Sequence, residues 1–378
     1  MNKGITLKLR LGVIFFLFSS LLNAQQNGLN IHGFINQAYA VSRGYEIFGI
    51  PEKGSTDYRT LAIQFRYDAS EHSTFVIQFS HKRMGNSPIM QKKSDVELDW
   101  AFYEYHINDK TSFKFGRIQV PFGIYNEIRD VGVLLPFYQV PYTPYGEGNY
   151  TSETVNGITV CQKITRFNPW RIQLELYAGE WQWIEWAIFK NPLNQSNIEI
   201  VEDADFKNAL GAQLWVETPM EGIRLGLGGY RGKVRGGIQF VDEVLGEEIL
   251  YEINFSVDAR LDNSFFRSEL GRVKILHNNI YSNAFNSTVG FYLTDRWCLN
   301  LQAEVHHIKG AVVLPEWRRT DLDFFEDVAL GLNYEFSPSL VLKLENHWNR
   351  SYIIEEPIDI TRPPLQTQYT IFSFSSSF

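Results

Sequence analysis

The sequence predicts an all-β fold: a closed, antiparallel transmembrane β-barrel of about 16 strands, with a long third outer loop folded into its interior. Three observations predict it. Runs of apolar residues at every second position recur along the chain from Leu29 onward. The connections between those runs alternate strictly between long and short. The last run ends at Phe378, the chain's own C-terminal residue, and no charge interrupts it. A period of two marks a strand with one wet and one greasy face, and long-short parity marks antiparallel neighbours in an even-numbered barrel.

Met1 to Ala24 (residues 1–24) reads as a secretory signal peptide. Lys3, Lys8 and Arg10 form its cationic start, Leu11 to Leu22 its apolar core, and Leu22-Asn23-Ala24 precedes the cut. That core, about 12 residues long, is too short to span a bilayer. Residues 25–378 then form one barrel domain. Aromatics make up 15% of the chain while its mean hydropathy is that of a soluble protein. Transmembrane barrels combine the two, because only alternate strand residues meet lipid. Two cysteines exclude a disulfide scaffold. Cys161 and Cys298 fall on runs about seven strands apart, too far across a barrel to bridge. A net charge of -8 without a Lys/Arg cluster argues against nucleic acid as a partner.

The first three strands show their outward faces as Leu29, Ile31, Ile35; Leu61, Ile63, Phe65, Tyr67; and Phe75, Ile77, Phe79. Val96 to Ile107 carries two phases: Val96, Leu98, Trp100 and Phe102 against Ala101, Tyr103, Tyr105 and Ile107. Either a bulge or an aromatic girdle would produce that. Thr111 to Arg117 leads into the long loop, and Ile158 and Val160 leave it. Ten further runs follow, from Ile172 to Ala178 through to Thr370 to Phe378. Long connections are expected at 43–57, 83–95, 118–153, 180–205, 232–248, 308–325 and 349–367, with tight turns such as Asn108-Asp109-Lys110 between them. Lipid offers no hydrogen-bonding partners, so such a sheet must close on itself.

Residues 116–157 break the pattern. Pro121, Pro136, Pro141 and Pro144 remove backbone donors, and Gly123, Gly132 and Gly146 interrupt any regular repeat. Yet Phe122, Ile124, Tyr125, Leu134, Leu135 and Phe137 are too apolar for a solvated tail. An ordered loop packed against the inside of something hollow satisfies both facts.

At Gly116-Arg117, Pro121-Phe122-Gly123, Tyr125-Asn126-Glu127, Arg129-Asp130-Val131-Gly132 and Pro136-Phe137, the sequence resembles the Gram-negative outer-membrane porin superfamily, including phosphate-selective-porin-like and uncharacterised relatives. Ile31-His32-Gly33-Phe34 and the terminal Phe378 belong to the same resemblance. It implies a 16-stranded channel in the outer membrane of a Gram-negative bacterium, often trimeric, whose third outer loop narrows the pore. Phe378 resembles the signal read by the barrel-assembly machinery. Outer-membrane lipids, that machinery and a homotrimer are thus the expected partners.

The expected function is passive diffusion of small polar or ionic solutes, without catalysis, cofactor or metal. Candidate constriction residues are Arg117, Tyr125, Glu127, Arg129 and Asp130. Phe113 and Phe115 face outward, so Arg117 lines the pore only if its strand bulges. Candidate lumen-wall residues are Arg66, Lys114, Arg171, Glu175, Arg260, Arg267, Glu269, Glu304, Lys343 and Glu345. Other inward charges, among them Lys82, Arg224, Asp99 and Asp258, leave the signs roughly cancelled. The loop adds Glu127, Asp130, Glu147 and Glu153 against Arg117 and Arg129, a mild acidic excess. Rings of lysine and arginine would mark a phosphate pore, and none is evident; a weakly selective or cation-leaning pore fits better. A substrate-specific channel for phosphate or oligosaccharide, and a non-conducting structural or adhesin barrel, stay open as alternatives.

An outer-membrane lipase is the rival enzyme. His307 has the outward phase it needs, but no G-x-S-x-G turn accompanies it. His306 and His307 point to opposite faces and cannot share one ion. Trp181, Trp183 and Trp186 are expected at the outer membrane interface. Glu185, Glu199, Glu202, Asp203 and Asp205 are expected in a solvated outer loop whose spacing matches no EF-hand.

Overall fold

The computed structural model describes residues 28–93, 95–146, 152–190, 194–236, 248–275, 280–311, 320–352, 355–359 and 362–378. The signal peptide and Glu147 lie outside the described residues. The strands are β1 (Leu29–Arg43), β2 (Ser55–Ser70), β3 (Ser73–Met84), β4 (Glu97–Asn108), β5 (Thr111–Gln119), β6 (Thr154–Ile164), β7 (Arg171–Lys190) and β8 (Asn197–Glu217). They continue as β9 (Ile223–Gly236), β10 (Glu248–Leu261), β11 (Ser264–Ile275), β12 (Ile280–Tyr292), β13 (Trp297–Ala311), β14 (Thr320–Ser337), β15 (Leu340–Ser351) and β16 (Leu365–Ser377). Each pairs antiparallel with its chain neighbours, and β16 returns to β1, so the 16 strands form a closed barrel. Gly33 and Phe378 exchange backbone N–H···O bonds of 3.1 and 3.0 Å at the seam. The Phe378 ring lies on the outer face over Gly33, in space that a side chain there would occupy.

The two faces invert the rule for soluble proteins. Ile35, Ile63, Phe75, Leu176, Phe255, Leu270, Leu301, Val328, Leu344 and Phe372 point outward and are exposed. Asn36, Gln78, Gln213, Asn254, Asn286, Asn300 and Ser375 point inward and are buried. Each large apolar side chain gains about 1.5–3 kcal/mol on leaving water. Such a belt is stable only where lipid, not water, surrounds it.

Two of the register shifts in the wall bear on the sequence reading. Gln78 pairs with Trp100 but Phe79 with Leu98, so Asp99 is the extra residue of a bulge. One inserted residue flips the phase, which explains why Leu98 faces out while Trp100 is buried inside. Of the two readings of Val96 to Ile107, the bulge is the one observed. The second irregularity lies across β7 and β8, where Gly179 faces Ala209 but Trp181 faces Phe206, leaving Lys207 and Asn208 bulged with Asn208 at φ 52.

The stretch 180–205 is therefore not a loop but mostly a projecting hairpin, with Glu199, Asp203 and Asp205 on β8. Trp181 is not at the membrane interface either. It points inward with Tyr177, is 2% exposed, and stacks on Phe206 with centroids 4.3 Å apart. Trp183 packs against the same cluster. Continuing the period of two from Leu176 and Ala178 already puts both indoles inside, and that steric rule outweighs the indole's interfacial preference. The side chains of Glu185, Trp186 and Glu202 lie outside what is described. Cys161 on β6 and Cys298 on β13 are free thiols.

Candidate functional site

Between Gln119 and Thr154 the chain leaves the wall and crosses the barrel interior. Among the described residues its only regular pieces are single turns at Asn126–Ile128, Gly132–Leu134 and Tyr142–Tyr145. Such a segment carries backbone groups with no ladder partners, and each one left unpaired inside would be costly. Side chains on the inward faces of distant strands supply the partners. The Gly123 N–H donates to Gln213 of β8 (2.9 Å), Ile124 to Glu269 of β11 (2.9 Å), and Thr143 to Glu304 of β13 (3.2 Å). Tyr138 donates to Glu345 of β15 at 2.8 Å. In the other direction, Lys343 Nζ donates to the carbonyls of Gly132 (2.6 Å) and Phe137 (2.9 Å). Asn36, Asn286 and Asn333 donate to the carbonyls of Asp130, Thr143 and Pro136 at 2.6, 2.8 and 2.9 Å.

Close approach demands glycine at two points. A Cβ on Gly132 would overlap Asn36 and Ser375 of the wall. Gly123, at φ +61, sits so near the Tyr145 hydroxyl and Glu269 that no side chain fits. Apolar packing completes the attachment. Phe122, Ile124, Tyr125, Leu135 and Tyr145 join Tyr177, Trp181, Phe206, Tyr230 and Leu250 in one buried cluster. Tyr138 joins a second with Ile47, Ile50, Tyr58, Ile89 and Tyr369.

This geometry sorts the candidate residues. Tyr125 is fully buried, its hydroxyl 3.5 Å from Thr288 and the Arg267 guanidinium 5.5 Å from its ring. Burial pushes its phenol up to about 12. Arg129 bonds within the loop, to Asn126 at 3.3 Å and to the Tyr145 carbonyl. Asp130 is 3.5 Å from Lys82 and 9% exposed. These three hold the loop. Glu127 differs: its side chain is exposed to the interior. The surrounding wall desolvates it and, with the Glu175 charge, pushes its carboxyl up to about 7 against the pull of Lys114 and Arg224.

Arg117 does not join them. It faces Asn156 two residues beyond the Phe115–Ile158 pair, with no bulge between, so it lies on the outer face with Phe115. Its Nε donates to the Asp99 carbonyl at 2.7 Å.

The wall candidates divide in the same way. Glu269, Glu304, Lys343 and Glu345 are 1, 4, 1 and 2% exposed and are committed to the loop. Glu175 is buried and accepts from Gln173. Arg267 lies 3.4 Å from Asp258 and reaches the Leu134 carbonyl at 3.5 Å. Toward the short-turn end the interior carries Arg66 with Asp68 (3.1 Å), Arg171 with Glu217 (3.0 Å), and exposed Arg260. Half-buried Lys114 sits 5.6 Å from the Phe102 ring centroid. Arg224 pairs with Asp258 at 2.9 Å and lies 4.1 Å over Trp215. Sequence reasoning passed over the uncharged clamps Asn36, Gln213, Asn286 and Asn333. Their signal was available: amides at inward positions of membrane-crossing strands.

His306 is buried inside beside Ser282 and Phe324, while His307 faces outward, 3.0 Å from Asp323. Among the described residues no serine hydroxyl bonds His307, and no group of three or more His, Cys, Asp or Glu is gathered as metal ligands.

These features define a 16-stranded transmembrane barrel with a loop clamped across its interior. The fold is that of solved outer-membrane porins. Salmonella typhi OmpF, in complex with daunomycin, matches with a TM-score of 0.61 and 12% identity over 93% of this chain and 99% of that one. The outer-membrane channel DcaP of Acinetobacter baumannii matches at 0.62 and 9%, over 93% and 97% of the two chains. The anion-selective porin from Comamonas acidovorans matches at 0.57 and 10%, over 93% and 99%. Identities this low establish shared architecture alone. No protein-family model matches the chain, and no curated protein does.

Proposed function

We propose that this barrel is a porin-like channel of the Gram-negative outer membrane, through which small polar or ionic solutes diffuse passively with weak charge selectivity. One observation carries the reading. The loop is fastened to the walls on many sides, yet its Glu127 stays exposed to an interior that also carries exposed Arg171 and Arg260 and half-buried Arg66 and Arg224. Weak selectivity follows from what the other charges do. Arg66, Arg171 and Arg224 each have a carboxylate neighbour, and the clamp carboxylates are withdrawn from solvent. Glu153 adds little negative charge, since enclosure and the Asp130 charge push its carboxyl well above the usual range. Among the described loop residues Glu127 is thus the exposed carboxyl that a passing ion meets, its charge growing as pH rises through about 7. Outer-membrane lipids, the assembly machinery that reads Phe378 and a homotrimeric state belong to the same proposal.

A second reading, a non-conducting structural barrel, is favoured by the two apolar clusters that occupy parts of the outer half. Recording purified protein in a planar bilayer separates the two. Stepwise ion currents with a small reversal potential in a salt gradient support the channel. Correctly folded, inserted protein without current would overturn it.

A further inference from the structure

The outer surface is not uniformly greasy. Strand register sets Arg231 of β9 beside Tyr251 of β10, Tyr251 beside Lys274 of β11, Lys274 beside Tyr281 of β12, and Tyr281 beside Lys309 of β13. All five lie on the outward phase and form one lateral row. Two register steps toward the short turns, the same strands present Leu227, Phe255, Leu270, Phe285 and Val305. The row stands about ten residues from the short-turn end of each strand, the length a tilted strand needs to cross the hydrocarbon. Cations and tyrosines therefore begin where acyl chains give way to headgroups.

A groove of about 760 Å³ opens at this level, between β8 and β12. Its floor is low because Gly229 and Ala212 stand where other strands carry large side chains. Leu214, Leu227 and Ile253 line its greasy part, and Tyr251, Arg272, Lys274 and Tyr281 its upper part. The cations are held over rings: Arg231 at 5.8 Å from Tyr251, Arg272 and Lys274 at 4.7 and 5.2 Å from Tyr281.

Several other outward cations near the outer rim have carboxylates, Lys309 at the end of this row among them. Arg83 lies 3.2 Å from Asp57, Arg350 3.4 Å from Glu326, and Lys309 3.6 Å from Asp321. Among the described residues Arg231, Arg272 and Lys274 have none within ion-pair distance. Three such cations above an apolar trough match one chemistry: an anionic headgroup with an acyl chain attached.

We propose that this groove holds a phosphate-bearing lipid of the outer leaflet, its phosphate on Arg231, Arg272 and Lys274 and a chain along Leu214, Leu227 and Ile253. The site lies outside the lumen and rests on membrane insertion of the barrel, not on conduction through it.

The test uses the full mature barrel in phosphatidylcholine nanodiscs doped with bis-phosphorylated lipid A or its dephosphorylated form, with retained lipid counted by native mass spectrometry. The wild-type protein should retain the phosphorylated lipid, and millimolar inorganic phosphate should not displace it. The double variant Arg272→Gln/Lys274→Gln should lose affinity by about thirtyfold, roughly a fivefold factor per charge. Arg350→Gln, at the paired part of the rim, should retain the lipid. Heat-modifiable migration on gels checks that each variant is folded, and bilayer conductance should be unchanged in both. Equal retention of the two lipids, or undiminished retention by the double variant, would overturn the site. So would crosslinking of Ile253→Cys to another copy of the chain, which would make the groove a subunit interface.

Discussion

The inward loop has two sides, and they use charge in opposite ways. Toward β11 to β16 and β1, it meets Glu269, Glu304, Lys343, Glu345 and Asn36, all buried and all spent on loop backbone groups. Toward β5 to β9, it presents Glu127 to an interior whose charges include Lys114 and Arg224. An ionised side chain on an inward strand position is therefore not automatically part of the field a solute feels. Where it bonds a loop amide or carbonyl, it acts as a fastener, and an unpaired partner left behind in the low-dielectric interior is what makes that fastener strong.

The largest expected effect comes from removing the fastened segment. Deleting residues 126–142 should raise single-channel conductance several-fold in a barrel that still inserts. Loosening a single fastener comes next. Lys343→Met strips the Gly132 and Phe137 carbonyls of their donor, so unfolding in urea should show a loss of about 2–5 kcal/mol.

On the other side the effects concern ions, not stability. The Glu127 carboxyl is raised to about 7, so it is mostly neutral at pH 6 and mostly charged at pH 8. Cation preference, read as reversal potential in a salt gradient, should grow across that interval, and Glu127→Gln should remove the dependence. The unfolding free energy of that variant should stay within about 0.5 kcal/mol of wild type. The smallest effect is expected of Arg117→Gln, because the guanidinium lies outside the bore. Conductance and reversal potential should both match wild type.

Much of this architecture was legible because lipid enforces it. Every crossing strand must show apolar residues at alternate positions, so strand count, outward phase, long-short parity and closure by Phe378 could all be read from the chain. A residue's habit misleads where it is set against that period: Trp181 at the interface and, by way of a bulge, Arg117 in the pore both conflict with the phase that Leu176 and Phe115 fix. The division of the wall charges was not legible at all. Glu269 and Arg171 share the inward phase, yet the first lies mid-strand and sealed beneath the loop while the second, at the short-turn end of β7, stays 78% exposed.

In the proposed channel, solutes pass the Glu127 side of a fastened loop. In a Cys161→Ser/Cys298→Ser background, a Glu127→Cys barrel recorded in a planar bilayer can be treated with a bulky charged thiosulfonate. A stepwise fall in current as each channel reacts is the predicted result. Full labelling with the current unchanged would place the passage elsewhere and contradict it.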